Sequence, residues 1–227
     1  MSKSVFKRNE YKYIITEEQY DSIIETIESR LRADVYGETT IQSLYFDTDD
    51  YRLIRTSIEK PDYKEKLRLR SYGLAKEDGE VFLELKKKCS GVVFKRRIQT
   101  TEKEIAVCEL NNSQIAKEIE YFISFYGKIS PKMLILYDRT AYFGEGELRV
   151  TFDRNARYRT DRLSLSAGLD GVPLFDDEKI IMEIKSVMAI PLWLVKLLSK
   201  NKIYKTSYSK YGEAYKKELN KKKEIEL

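Results

Sequence analysis

Charged and apolar residues alternate along several short segments of this chain, and this alternation constrains the fold more than any other feature. In the segment KLRLR, Lys66, Arg68 and Arg70 alternate with Leu67 and Leu69. Because successive side chains of a β-strand point to opposite faces, the three cations would share one face and the leucines the other. Taken alone, this motif is equally typical of an ordinary half-exposed strand whose basic face lies in water.

The same layout recurs in RNEYKY, FLELKKK, RVTFD and IMEIKS, where long cations and carboxylates occupy alternate positions opposite apolar residues. If the sheet closes, either the charged or the apolar residues must face its interior. Helices are available to cover an apolar outer face, so the charged residues are predicted to point inward. The predicted inward residues are Arg8, Lys12, Lys66, Arg68, Arg70, Lys86, Arg149 and Lys185, with Glu10, Glu84, Asp153 and Glu183.

The pattern predicts a β-dominated α+β fold, an eight-stranded antiparallel closed tunnel barrel with flanking helices. We expect a single domain over residues 1–227, with a charged tail from residue 216. Helices are predicted at residues 17–32, 113–126 and 191–200, the first from a capping signal at Thr16 and Gln19 and the last from Pro191. Strands are predicted at residues 5–15, 41–48, 64–73, 80–88, 92–100, 133–143, 147–154 and 180–186.

The inward residues carry an excess of about four positive charges if the strand faces are assigned correctly. Buried charges without partners are destabilising by several kcal/mol each, so such an interior needs an anionic ligand. A linear chain of phosphates fits this requirement, and the carboxylates can hold a divalent cation that bridges phosphate oxygens.

The composition excludes several other kinds of site. The chain has no histidine, which excludes histidine acid–base catalysis, phosphohistidine intermediates and histidine metal ligands. Its net charge of +5 predicts no nucleic-acid partner. Cys89 and Cys108 have no metal-ligand spacing and predict reduced thiols in the cytoplasm. The start MSKSVFKRNEYK has no apolar core of a signal peptide, and residues 190–198 are too few to span a bilayer, so no membrane segment is expected.

Three motifs have an ordinary structural interpretation beside a functional one. Asp47, Asp49 and Asp50 could suggest a metal site, but Asp-x-Asp-Asp after a strand is more typical of a turn or helix cap. The basic run at residues 95–97 could suggest a nucleic-acid patch, but strand alternation lets at most two of its cations share a face. The apolar stripe at residues 192–198 is more typical of a helix packing face than of a membrane anchor.

The ordered motifs RNEYKY, SLYFDTDDY, KLRLRSYG, FLELKKK, RTAYF, ELRVTFD, IMEIKS and KTSYSKY resemble a known family. This is the polyphosphate polymerase domain of the vacuolar transporter chaperone (VTC) family, a branch of the triphosphate tunnel metalloenzymes that also include the CYTH domains. The resemblance covers residues 5–215 and indicates a stand-alone, bacterial-type member. It implies a tunnel barrel in which basic residues cradle a triphosphate or a growing polyphosphate, while a glutamate holds Mn²⁺ or Mg²⁺.

The resemblance also implies roles for individual residues. The catalytic cations would be Lys66, Arg68, Arg70, Lys86, Arg139 and Arg149. Further contacts to the substrate would come from Arg8, Lys12, Lys185, Ser209 and Lys210. The metal ligand would be Glu183, with Glu10 as the next candidate.

One departure from the CYTH pattern bears on the reaction. CYTH enzymes carry Glu-x-Glu-x-Lys in the first strand, whereas this chain has Arg8, Glu10 and Lys12. A cation in place of one carboxylate favours a polymerase over a triphosphate hydrolase. We therefore expect ATP-dependent polyphosphate synthesis, with ATP and polyphosphate as the ligands. Hydrolysis of tripolyphosphate or nucleoside triphosphate, and non-catalytic polyphosphate binding, are the alternatives.

Overall fold

The computed structural model describes residues 9–76, 78–90, 92–106 and 113–225. Arg8 and Cys108 lie outside the described residues, and nothing below depends on their positions. The described residues form a β-dominated α+β fold with ten strands, six helices and one short 3-10 turn at Glu145–Glu147.

Strands were predicted closely, because alternation is a local signal. Each of the eight predicted segments overlaps a strand of the structure, and only the two-residue strands β2 and β9 were not anticipated. The strands are β1 (Asn9–Thr16), β2 (Arg32–Ala33), β3 (Thr39–Asp47), β4 (Tyr63–Tyr72), β5 (Val81–Cys89), β6 (Val92–Thr100), β7 (Ser130–Phe143), β8 (Arg149–Arg159), β9 (Val172–Pro173) and β10 (Lys179–Ser186).

All ten strands belong to one large sheet with the order β1-β10-β8-β7-β3-β4-β5-β6, to which β2 adds at β7 and β9 at β8. The pairs β1–β10, β10–β8, β3–β4, β4–β5 and β5–β6 are antiparallel. Among the described residues this order does not close through hydrogen bonds, so the predicted closed barrel is not confirmed. The outer edge of β1 instead forms a single bridge between Lys12 and Thr206.

The three predicted helices are confirmed, and three more are present. Helix α1 begins at the predicted capping box, in which Thr16 Oγ1 accepts from the Gln19 amide and the Gln19 side chain accepts from the Thr16 amide. The helices are α1 (Glu17–Glu28), α2 (Arg52–Glu59), α3 (Glu102–Ala106), α4 (Gln114–Tyr126), α5 (Leu192–Lys200) and α6 (Lys210–Ile225).

The chain divides into two compact units, each built from three segments. The first unit comprises Met1–Thr40, Tyr137–Ala156 and Pro173–Ser209, and the second comprises Ile41–Leu136, Arg157–Val172 and Lys210–Leu227. The expectation of a single domain stays a prediction.

The core of the first unit lies on one face of β1, β8 and β10. Tyr13, Phe152 and Met182 from these strands pack in one buried cluster with Ile23 of α1 and Leu194 of α5. The stripe of α5 is therefore a packing face, as predicted, although Leu192 and Val195 at its outer side are exposed. No described helix has both the length and the apolar character that a bilayer crossing demands.

The core of the second unit lies on one face of β4, β5 and β6. Leu67, Leu69 and Leu85 are buried there in a cluster that includes Ile119 and Phe122 of α4. Helices thus cover the apolar face of the strands in each unit, which leaves the charged face as the other one.

The aspartate motif after β3 is a helix cap, as predicted. Asp47 is buried, and its carboxylate accepts from the backbone N–H groups of Leu53 and Ile54 at the start of α2. Asp49 instead pairs with Lys132 at 2.7 Å. The carboxylates therefore satisfy the start of a helix and a surface lysine.

Candidate functional site

The first unit carries a charged face on three neighbouring strands. In the β1–β10 register Lys12 lies opposite Glu183 and Glu10 opposite Lys185, and in the β10–β8 register Thr151 lies opposite Glu183. Residues opposite each other in paired strands project to the same side of the sheet. We call this set the mixed face, because it combines cations and carboxylates: Glu10, Lys12, Arg149, Thr151, Asp153, Glu183 and Lys185.

Glu183 is the centre of the mixed face. Its carboxylate is 7% exposed and lies 3.6 Å from Lys12 Nζ, 3.1 Å from Lys185 Nζ and 3.8 Å from an Arg139 nitrogen. Three cations from three strands thus converge on one buried carboxylate. Such an arrangement presents a ring of donors around the carboxylate.

Arg139 of β7 is held by a second carboxylate. Its Nε donates to Asp153 Oδ1 at 2.5 Å and a terminal nitrogen donates to Asp153 Oδ2 at 2.8 Å. This two-point pair fixes the guanidinium plane. Burial works to lower the pKa of Arg139, but the charge of Asp153 outweighs it and raises the pKa well above its usual value. Arg139 is therefore a permanent, oriented cation beside Glu183.

The segment that contains Ser209 lies next to Lys12. The Thr206 amide donates to the Lys12 carbonyl at 2.8 Å, and Lys12 Nζ donates to the Tyr208 carbonyl at 3.2 Å. Lys12 also lies 3.3 Å from Glu10. Ser209 follows Tyr208 directly, so two residues that share no sequence neighbourhood, Ser209 and Lys12, are brought together in the first unit.

The second unit carries a charged face of different composition. Lys66, Lys86 and Lys95 lie opposite one another across β4, β5 and β6, and the next row is Arg68, Glu84 and Arg97. With Arg70, which continues the β4 row, this gives six cations and one carboxylate. We call this set the cationic face: Lys66, Arg68, Arg70, Glu84, Lys86, Lys95 and Arg97.

Glu84 is the carboxylate around which the cationic face is organised. It is 1% exposed, and its carboxylate lies 2.8 Å from Arg68, 3.8 Å from Arg70, 2.5 Å from Lys95 and 3.6 Å from Arg97. Burial works to raise the pKa of Glu84, but the surrounding cations outweigh it and lower the pKa to about 2. One carboxylate thus pairs with four cations from three strands.

Two tyrosines join the cationic face to the start of α6. Tyr45 accepts from an Arg68 terminal nitrogen at 3.1 Å and stacks on Tyr211, with ring centroids 4.4 Å apart. Tyr211 in turn donates to the Asp47 carboxylate at 2.9 Å, and Lys66 Nζ lies 5.9 Å from the centre of the Tyr211 ring. The beginning of α6, where Lys210 is the first residue, is therefore anchored beside β3 and β4.

The mixed face fits a divalent cation that is shared with a substrate. Glu10 and Glu183 lie 3.3 Å and 3.6 Å from Lys12 Nζ, so the two carboxylates flank the same lysine. In the part of the chain that the structure describes, no group of three or more acidic, histidine or cysteine side chains could hold a metal ion. Mg²⁺ is typically bound by one or two carboxylates together with phosphate oxygens of the substrate. The residues present match that kind of site.

The family profile for the VTC domain matches residues 7–219, almost the entire chain. The chain belongs to the VTC domain family. The family predicted from the motifs is thereby confirmed. A search of curated proteins found no match.

Three solved structures share the fold of this VTC domain. A proposed adenylate cyclase from Bacillus halodurans matches with a TM-score of 0.58 and 12% identity, covering 92% of this chain and 96% of that one. A proposed adenylyl cyclase from Hippeastrum, described as having a dominant triphosphatase activity, matches with a TM-score of 0.55 and 15% identity over 89% and 92%. A proposed adenylate cyclase from Vibrio parahaemolyticus matches with a TM-score of 0.51 and 10% identity over 94% and 99%. At these identities the likeness shows the fold alone.

The structure divides the predicted site residues of the VTC domain between the two faces. Lys66, Arg68, Arg70 and Lys86 lie on the cationic face. Glu10, Lys12, Arg149, Glu183 and Lys185 lie on the mixed face, and Arg139 contacts it. Ser209 precedes α6 and Lys210 begins it. Arg8 lies outside the described residues, and the role proposed for it stays a prediction.

Sequence reasoning gave no site role to Lys95 and Arg97, although both belong to the cationic face. A signal was available, because only two residues separate β5 from β6, and a two-residue hairpin fixes its register. That register places Lys95 opposite Lys86 and Arg97 opposite Glu84. Arg96 points to the other side and pairs with Glu118 of α4 at 3.0 Å, which excludes it from the face.

Proposed function

We propose that this VTC domain is an ATP-dependent polyphosphate polymerase, which transfers the γ-phosphoryl group of ATP to the end of a phosphate chain. The observation that carries the proposal is the composition of the cationic face, where six cations from three neighbouring strands lie on the same side of the sheet as Glu84. Membership of the VTC family supports a role in polyphosphate or triphosphate chemistry. A phosphate chain presents anionic oxygens along its whole length and can occupy such a row of cations.

Arg68 and Arg70 are proposed to bind the phosphate chain on the cationic face. Their guanidinium groups are partly fixed by Glu84, Tyr45 and Ser43, so little rotational freedom is lost when phosphate binds. Lys66, Lys86 and Lys95 form a row of like charges across three neighbouring strands. A phosphate chain along this row would contact one cation from each strand.

On the mixed face, Arg139, Arg149 and Lys185 are proposed to neutralise charge on the phosphoryl group during transfer. Glu183 is proposed to hold Mn²⁺ or Mg²⁺, with Glu10 as a second carboxylate. When bound, such an ion supplies Lewis-acid stabilisation of charge on phosphate oxygens. Because the acceptor is an anionic phosphate, no proton has to be removed from it, and a chain without histidine can perform the reaction.

The proposal includes the closed tunnel barrel that the family resemblance implies, from which a product would leave by threading out. It also includes a cytoplasmic location, which the free, exposed thiol of Cys89 supports. ATP and polyphosphate are the proposed partners. Nucleic acid is not among them, since the aligned cations alternate with a buried apolar face and not with exposed aromatic residues.

The experiment is an incubation of the purified protein with ATP and Mn²⁺, in which polyphosphate is detected on a stained gel and orthophosphate is measured in the same sample. A parallel incubation with tripolyphosphate tests hydrolysis directly. Polyphosphate that lengthens with time, with little orthophosphate, is the expected result.

Each alternative has its own outcome. Rapid orthophosphate release without polymer, with either metal, would establish a hydrolase, the activity named for the Hippeastrum protein. Tight polyphosphate binding with neither polymer nor orthophosphate would establish a binding module. Either result would overturn the polymerase proposal.

A further inference from the structure

Thr151 is a buried hydroxyl whose hydrogen-bonding capacity is not used. It lies in the middle of β8 and is 1% exposed, and its Oγ1 has no hydrogen-bond partner among the described residues. Leaving a buried hydroxyl without a partner is destabilising by roughly 1–3 kcal/mol, so most buried hydroxyls find one. A polar atom in this state at the centre of a charged face points to a ligand that satisfies it.

The residues around Thr151 indicate which kind of ligand its hydroxyl binds. Thr151 lies directly opposite Glu183 in the β8–β10 register, and Lys12 is the next residue in the same row. Side chains in such opposed positions have Cβ atoms about 5 Å apart. Along β8, Arg149 and Asp153 are its neighbours on the same face. The hydroxyl therefore lies beside the carboxylate that is the strongest candidate for a metal ligand.

We propose that Thr151 Oγ1 is an oxygen ligand of the divalent cation held by Glu183, an inference that rests on the metal part of the proposed function. Hard cations take neutral hydroxyl oxygens as well as carboxylates, and a threonine adds a ligand without adding charge. Glu183 and Glu10 offer two carboxylates, because the third on this face, Asp153, binds Arg139 through both its oxygens. No described group of three acidic, histidine or cysteine residues exists to complete a set. Thr151 would supply a third ligand group.

The alternative contact for this hydroxyl is a phosphate oxygen, to which it would donate a hydrogen bond. Lys12, Lys185 and Arg149 already supply N–H donors on this face, so phosphate has little need of another. A divalent cation held by two carboxylates, by contrast, still has positions open for further oxygen ligands. The two contacts are separated by measuring metal binding without phosphate and phosphate binding without metal.

The experiment is calorimetric titration of Mn²⁺ into the native protein and into the Thr151→Val, Thr151→Ser and Glu183→Gln variants, all without phosphate. Valine has the shape of threonine but no hydroxyl. Thr140→Val is the matched control, because Thr140 Oγ1 is also buried and without a partner among the described residues, yet it alternates with Arg139 and so points to the other side of the sheet.

We expect Thr151→Val to weaken Mn²⁺ binding about tenfold, the scale of losing one supporting ligand group. Thr151→Ser and Thr140→Val should bind Mn²⁺ as the native protein does. Thermal unfolding of both valine variants should occur at the native temperature or above it, since each loses an unsatisfied hydroxyl. A native-like temperature for Thr151→Val shows that the lost metal affinity is not a folding defect.

Other outcomes overturn the inference in distinguishable ways. If Thr151→Val binds Mn²⁺ like the native protein while Glu183→Gln does not, the hydroxyl is no ligand but the metal part of the proposed function stands. If Thr151→Val loses affinity only for tripolyphosphate in metal-free buffer, the hydroxyl contacts phosphate. If the native protein binds no Mn²⁺, the metal part of the proposed function fails together with this inference.

Discussion

The mixed face and the cationic face are built on the same strand pattern, but they balance charge differently. On the mixed face three carboxylates, Glu10, Asp153 and Glu183, accompany the cations, and Arg139 is held by Asp153 at two points. On the cationic face Glu84 alone accompanies six cations. Two charged strand faces can therefore differ in the kind of site that they form.

The difference indicates what each face can bind. A face whose cations are nearly matched by carboxylates gains little from an anion but can exchange a cation for a metal ion. A face with a large excess of cations gains most from an anion, because binding removes repulsion as well as adding contacts. We therefore expect a carboxylate to take part in the chemistry on the mixed face and to stabilise the fold on the cationic face.

The comparison predicts that loss of Glu84 lowers stability more than any other single charge change. Glu84→Gln should lower the free energy of unfolding by about 3 kcal/mol, because it removes the buried carboxylate with which Arg68 and Arg70 pair. Saturating tripolyphosphate should restore most of this loss and bind more tightly than to the native protein. Urea unfolding with and without tripolyphosphate measures both.

Glu65→Gln is the matched control for Glu84. Glu65 is also a buried carboxylate of the second unit and pairs with Lys87, but it lies on the apolar side of β4. Saturating tripolyphosphate should not restore the stability that the Glu65→Gln variant loses. The sign of the pH effect follows from the lowered pKa of Glu84: its stabilisation is complete above the ordinary value of 4.5 and is lost as pH falls through about 2. Equal rescue of both variants would remove the distinction between the faces.

The second prediction concerns the carboxylate of the mixed face. Glu183→Gln should lower turnover at least about 100-fold, because several kcal/mol of charge stabilisation on the phosphoryl oxygens are lost with the metal. Tripolyphosphate affinity in metal-free buffer should stay within a few fold of native, since it depends on the cationic face. Steady-state rates at limiting Mn²⁺ and calorimetric titration provide the two measurements.

Glu178→Gln, an exposed carboxylate just before β10, is the control and should have native activity. If the Glu183→Gln variant retains native turnover, the metal ligand is Glu10 and not Glu183. A parallel loss of metal-free tripolyphosphate affinity would mean that Glu183 acts on phosphate binding and that the two faces do not divide the work.

The third prediction tests the arginines of the cationic face. Arg68→Ala or Arg70→Ala should weaken tripolyphosphate binding by about 1.5–3 kcal/mol, the usual size of a hydrogen bond to a charged group. Arg96→Ala, on the other side of β6 and paired with Glu118, should not change it. Calorimetry in metal-free buffer measures all three. Native affinity in both the Arg68 and Arg70 variants would exclude this face as a phosphate site.

Alternation made the strands and their charged faces predictable, since it requires only neighbouring residues. Helices α2 and α6 were harder. Tyr51, the residue before α2, has a left-handed conformation with a φ of 58°. Asp47, which accepts from backbone N–H groups at the start of α2, also accepts from Tyr211, far away in sequence. The end of the chain was expected to be helical or frayed, and α6 extends to Ile225. Such partners depend on tertiary contacts that no local pattern encodes.

The same limit applies to the site. The two-residue repeat of a β-strand predicts which residues share a face. Which residues lie opposite each other depends instead on strand order and register. The pairing of Arg139 with Asp153 joins β7 and β8, and the position of Thr151 opposite Glu183 joins β8 and β10. The position of Thr151 opposite Glu183 was not predictable from spacing, because the long segment between β8 and β10 leaves their register open. The Arg139–Asp153 pair joins strands that are only five residues apart in sequence, but it too depends on their register.

The smallest predicted effect is a pH dependence that belongs to the cationic face alone. Burial lowers the pKa of Lys95 to about 8, more than Glu84 raises it. Burial works to raise the pKa of Tyr45, but the charges of Arg68 and its neighbours lower it to about 8. As pH rises through 8, Lys95 loses a positive charge and Tyr45 gains a negative one, and both changes oppose an anion.

Tripolyphosphate affinity should therefore fall about fivefold between pH 7 and pH 9, roughly the 1 kcal/mol of one charge pair at 4 Å in water. Bound phosphate favours the protonated lysine and the neutral phenol, so it should raise both pKa values. Lys95→Arg keeps its charge throughout this range, and Tyr45→Phe cannot ionise, so each should reduce the dependence, and the double variant should show only the titration of tripolyphosphate itself. Mn²⁺ binding to the mixed face, measured over the same range in the double variant and the native protein, should be identical. If the double variant retains the full loss of affinity, the titrating groups lie elsewhere and the cationic face does not set the pH response.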